Sequence, residues 1–76
     1  MVVAYVMVKA YTGDADRLKS EIEALDGVVE ASIVAGDVDL IAKLDVADTS
    51  QVKTVTADGI QSIEGVESTR TYIAID

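Results

Sequence analysis

Two carboxylates, Asp37 and Asp39, stand two residues apart in the stretch VAGDVDLIAKL, Val34 to Leu44. Paired acids can act as general acid and base when their environments drive their pKa values apart. That chemistry usually needs a third partner, and the chain has no His and no Cys. No buried Lys is evident beside the pair, so no catalytic residue is assigned. As a calcium loop the run lacks alternating oxygen ligands and the distal Glu, and without His or Cys no metal site is expected. A His-based nucleophilic triad is excluded. TGDAD (12–16) and AGDVD (35–39) each carry one Gly, with acids where a phosphate loop needs Lys. Two readings remain open. One is a plain turn with solvated acids; the other is a place where a carboxylate meets the ammonium of a small molecule.

The elements around the pair follow from periodicity. VVAYVMVKAY, Val2 to Tyr11, is β-branched and aromatic and reads as a strand. TGD breaks it. From Asp14 onward Leu18, Ile22 and Leu25 recur at helical spacing, with Asp14 as a cap and Arg17 and Lys19 toward solvent. Asp26-Gly27 ends that helix. VVEASIVA and VDLIAKLDV read as two strands joined through Gly36-Asp37, a two-residue hairpin signal. Val52, Val55, Ile60 and Ile63 suggest a second helix capped by Asp48, Thr49 or Ser50. Thr and Val weaken that helix, and Asp58-Gly59 is a competing turn. An internal echo decides for the helix: IEALDGV (22–28) and IQSIEGV (60–66) both read as a helix end entering a strand. VESTRTYIAI is the last strand.

The order β-α-β-β-α-β describes one α+β domain over residues 1–76, a ferredoxin-like sandwich. Right-handed crossovers give an antiparallel sheet of order 4-1-3-2 with both helices on one face. The helices can cover only one side chain set per strand. Val3, Tyr5, Met7, Ile41, Tyr72 and Ala74 are then left on the opposite face. A contiguous apolar patch of that kind marks a partner, and a homodimer formed sheet against sheet is expected. A looser packing with the tyrosines lying over the strands is the alternative.

Composition supports association. In 76 residues with no Cys, a fold this small has neither disulfides nor a zinc site to support it, which leaves oligomerisation. Fourteen acids against six bases give a net charge of −8, which repels nucleic acid and anionic membranes. The acids are dispersed along the chain, as on proteins of salt-loving microbes, where high salt screens such self-repulsion. No run is long and apolar enough to span a bilayer, and the opening residues do not form a signal peptide. A cytoplasmic location is expected.

In the folded order, the Gly36-Asp37 tip, the end of the first strand, the start of the first helix and Glu64-Gly65 gather at one rim. Such a rim brings carboxylates and unpaired helix N–H groups together. It suits a zwitterion, with Asp37 or Asp39 on the ammonium and backbone N–H groups on the carboxylate.

GDVDLIAKLDV together with GVESTRTYIAI resembles the ligand-binding domain of the Lrp/AsnC family, over essentially the whole chain. The resemblance implies a ferredoxin-like domain that dimerises through its sheets, with dimers joining into rings and amino-acid effectors bound between dimers. By position, Gly36, Asp37, Val38 and Asp39 would form the effector loop, with Thr69 and Thr71 as nearby contacts. Thr71 fits less well, because alternation points it under the helices. Val38 stands where the family often has Tyr or Phe. The chain also starts at the first strand, without the family's usual helix-turn-helix region, and so looks like a stand-alone form. Any role in transcription would then be indirect, through co-assembly with full-length relatives. The expectation is a non-enzymatic, cofactor-free amino-acid sensor. Its rivals are a purely structural assembly module and a small dimeric enzyme with Tyr5, Tyr72 or Arg70 in its pocket.

Overall fold

A computed structural model of the chain describes residues 1–11 and 13–76; Thr12, in the TGD break, lies outside the described residues. Strands β1 (Val2–Ala10), β2 (Val28–Ile33), β3 (Leu40–Val46) and β4 (Val66–Ile73) form one antiparallel sheet of order β2-β3-β1-β4. Helix α1 (Ala15–Glu23) follows β1, and α2 (Thr49–Lys53) follows β3. This is the ferredoxin-like order expected from the sequence.

Period-two alternation decides which side chains are buried. Ala4, Val6 and Val8 of β1 and Leu40, Ala42 and Leu44 of β3 are fully buried, and they pack with Leu18, Ile22, Val52 and Ile60 from the helical layer. Leu18 and Ile22 lie four residues apart, so one face of α1 supplies both. The core on the helix side is thus built from the apolar half of each central strand.

The internal echo is structural. Ile22 and Ile60 are both fully buried. Leu25 N–H donates to the Ile22 carbonyl at 3.1 Å and Val28 N–H to Leu25 at 3.3 Å. Ile63 donates to Ile60 at 3.1 Å and Val66 to Ile63 at 3.2 Å, repeating the pattern. Gly27 and Gly65 take φ of 94° and 105° at equivalent places. At Gly27 a Cβ would also lie 2.8 Å from Val46 Cγ1, so shape and backbone both require glycine.

The second helical stretch corrects the expected spacing. α2 gives way to π-type turns over Thr54–Gly59 and a 3-10 turn over Ile60–Ser62. In a π-type turn the chain closes on the fifth residue rather than the fourth, and the Ile60 N–H accordingly reaches Val55 as well as Thr56. The buried stripe becomes Val52, Thr56 and Ile60, while Val55 and Ile63 are only half-buried. Asp48 caps α2 as expected, its carboxylate accepting from Gln51 N–H at 3.0 Å. The Ser50 hydroxyl and that N–H hold the Asp48 carboxyl below the usual aspartate value. Asp14 precedes α1, but its side chain makes no cap bond and pairs with Arg17 instead.

The two-residue hairpin is also corrected. Residues 34–39 connect β2 and β3, because Asp39 is drawn to β1. Its N–H donates to the Val8 carbonyl at 3.0 Å, and its carbonyl accepts from Val34 at 2.9 Å. The regular β2–β3 register begins only at Ile33 and Leu40.

Candidate functional site

The lengthened 34–39 loop sits at the end of β3 beside the far end of β1, with β4 on the other side of β1. Asp37 and Val38 therefore reach over β1 and β4. With Met7 and Lys9 of β1 and Ser68, Thr69, Arg70 and Tyr72 of β4, they line a cavity of about 610 Å³. Met7 pairs with Arg70 and Lys9 with Ser68 across the β1–β4 ladder, so Lys9 and Arg70 are diagonal neighbours on the sheet face that the helices leave open.

The loop's acids are placed differently. Asp37 is exposed at the cavity edge. Asp39 is half-buried, and its Oδ2 accepts from the Ala10 N–H at 2.8 Å. That bond falls where the β1–β4 register shifts between Lys9 and Ala10. A carboxylate at such an irregularity satisfies a donor that the ladder has released. Gly36 is exposed and does not line the cavity. Thr69 lines it, with its hydroxyl accepting from Gln61 Nε2 at 2.7 Å. Thr71 shares its strand face but borders a separate groove of about 300 Å³, with Val52, Lys53, Thr56 and Ile73. Thr71 and Ile73 pair with buried Val6 and Ala4 and so lie on the helix side, as alternation expects, but on this edge strand the helical layer leaves both exposed.

The rim expected from topology is divided. Tyr11, Asp14, Arg17, Glu64 and Gly65 border their own cleft at the start of α1. Arg17 spans it, donating to the Glu64 carbonyl at 2.9 Å and pairing with Glu21. Asp37 borders a cavity with Lys9 and Arg70 of the strands, and no residue of α1 borders it. Sequence reasoning thus missed Lys9 and Ser68 as cavity residues, and offered Arg70 and Tyr72 only for the pocket of the enzyme rival. The available signal was alternation: Lys9 shares a face with Met7, and Arg70 with Tyr72.

Charge distinguishes this cavity. Among the described residues, ion pairs join Arg17 to Asp14 and Glu21, and Lys19 to Glu23. Lys9 and Arg70 are in none of them, nor are Lys43 and Lys53, and the cavity brings two such cations together with one exposed carboxylate in its lining. Among the described residues no group of three His, Cys, Asp or Glu side chains is placed to hold a metal ion. No helix among them is long and apolar enough to cross a membrane.

The cavity continues into the open sheet face. Tyr5 pairs with Tyr72 on one side and Lys43 on the other, and Met7 lies between Ile41 and Arg70. Tyr5 is 38% and Tyr72 51% exposed. Val3, Met7, Ile41 and Ala74 are half-buried, and Ala74 extends the ladder by donating to the Val3 carbonyl at 2.8 Å.

Comparison with known proteins gives one coherent result. The family model described as the Lrp/AsnC ligand binding domain matches residues 3–76. The Leucine-responsive regulatory protein of Haemophilus influenzae is 26% identical over 76 residues, covering all of this chain and 46% of that protein. The chain thus spans about half the length of the curated relative it matches. Among solved structures, TTHA0845 from Thermus thermophilus is similar at 33% identity and a TM-score of 0.95, with 100% of this chain and 95% of that one covered. AsnC of E. coli shares the fold at 24% identity and a TM-score of 0.91, over 99% of this chain and 51% of that one.

Proposed function

The chain belongs to the Lrp/AsnC ligand-binding domain family, and on that premise we propose that it is a non-catalytic sensor of a free amino acid. The observation that carries this reading is the cavity shared by Asp37, Val38, Thr69, Lys9 and Arg70. An amino acid needs a carboxylate for its ammonium and a cation for its carboxylate, and Asp37 and the two cations meet both needs. Gly36 and Asp39 shape the loop, whereas Thr71 turns to the helix-side groove, away from the cavity.

The open face carrying Val3, Tyr5, Met7, Ile41, Tyr72 and Ala74 packs against a second copy in this reading, and Met7 and Tyr72, which also line the cavity, set the cavity at the edge of that interface. Burying that face supplies the stabilisation a chain of this size needs. Ligand bound to the assembled form then shifts the equilibrium toward it by mass action. Rings of dimers and co-assembly with full-length regulators of the family are the further steps by which such a shift would reach transcription.

Thermal denaturation and native mass spectrometry with each proteinogenic amino acid test the reading. A ligand that raises both the melting temperature and the assembled fraction is the expected result. A fixed oligomer indifferent to every amino acid would make the domain a structural module.

A further inference from the structure

We infer that the effector is a dicarboxylic amino acid, aspartate or glutamate; this rests on the sensor reading above and narrows its ligand class. The cavity's charged lining is Lys9, Arg70 and Asp37, two positive charges and one negative. An ordinary amino acid, with one charge of each sign, would leave one cation without a partner. An acidic amino acid carries two carboxylates and one ammonium and matches all three groups.

The strand register supports simultaneous contact. Lys9 pairs with Ser68, and Arg70 lies two residues further along β4 on the same face. Such diagonal neighbours lie about 7–8 Å apart, with their Cβ atoms somewhat closer, within reach of two carboxylates joined through the α-carbon and one or two methylenes. Arg70 offers a planar fork suited to bidentate binding of one carboxylate, and Lys9 a mobile point charge for the other. The Ser68 hydroxyl on the same face can donate to either. Met7, Val38 and Tyr72 complete the lining and leave the short methylene bridge apolar surroundings.

The net charge of −8 does not prevent this. Charge interactions decay over about 10 Å at 0.1 M salt and about 3 Å at 1 M, so added salt suppresses the long-range repulsion before it weakens contact pairs. The local cations therefore decide selectivity.

The test is calorimetric titration of the intact chain with L-Asp, L-Glu, L-Asn, L-Gln and L-Leu. Replacing a carboxylate by its amide removes one charge at nearly constant shape. Binding of L-Asp or L-Glu at least about tenfold tighter than of the matching amide is expected, the scale of one charge-assisted contact. Arg70→Gln and Lys9→Gln should each bring acid and amide to within about twofold of each other. Equal or tighter binding of L-Asn, L-Gln or L-Leu by the wild type would overturn the inference and leave the sensor reading standing. Failure of all five to bind would overturn the inference, and failure of every other proteinogenic amino acid as well would remove the sensor reading.

Discussion

The Asp39 carboxylate accepts the Ala10 N–H at 2.8 Å, across twenty-nine positions of sequence. One of the two acids of the GDVD loop is thereby committed to holding that loop against β1, and Asp37 is left at the cavity edge. Asp39→Ala should cost about 1–3 kcal/mol, the range for a hydrogen bond to a charged group whose partner is left unsatisfied. Chemical denaturation measures it. Asp37→Ala should leave stability nearly unchanged and abolish any amino-acid-induced rise in melting temperature. A ligand response that survives Asp37→Ala would remove this loop from the site.

Tyr5 stands across from Tyr72 at the centre of the open face. Tyr5→Glu would place a carboxylate, and its symmetry mate, inside a sheet-to-sheet dimer. Uncompensated burial of charge is costly, and association should weaken by about a hundredfold or more. Sedimentation velocity reads the change directly, and an undiminished dimer would place the interface elsewhere.

Acid should weaken the fold through two carboxylates held below their usual range. Asp48 is lowered by the Ser50 hydroxyl and the Gln51 N–H, and Glu23 by Lys19 and the Ala31 N–H. Each contribution is complete above the unfolded-state pKa and disappears as pH falls through the lower folded-state pKa. Asp48→Asn keeps a capping oxygen but cannot titrate. Its melting temperature should therefore fall less steeply than that of the wild type as pH drops below the ordinary aspartate value of 3.8. Parallel profiles would show that the cap carries no pH-dependent stability.

With fourteen acids and six bases, the folded chain repels itself at low ionic strength. Raising KCl from about 0.1 M to about 2 M should increase the melting temperature, because screening removes repulsion that compaction concentrates. A flat or falling salt profile would contradict the salt-adapted reading of this surface.

Sheet order was legible because alternation in β1 and β3 is strict and the Leu18–Ile22 spacing is helical. The repeat ending in Gly27 and Gly65 settled the weaker second helix. Its π-type turns were not legible, since the shift from Val55 to Thr56 arises from packing against the sheet rather than from residue type. The 34–39 loop was misread for a related reason. Gly36-Asp37 is a genuine local turn signal, but Asp39 is captured by β1, a non-local contact that local spacing does not reveal. Asp37, Val38 and Thr69 were legible as effector candidates and Arg70 only as a pocket residue of the enzyme rival, while Lys9, and its place diagonal to Arg70, became visible only through the β1–β4 register.

Mapping backbone amide shifts of the isotope-labelled intact chain, titrated with L-Asp and then with each other proteinogenic amino acid, tests the site most directly. Saturable shifts are expected at Lys9, Asp37, Val38 and Ser68 to Arg70. Shifts confined to the groove bordered by Thr49 and Ile73, or none with any amino acid, would contradict an effector site beneath the Asp37 loop.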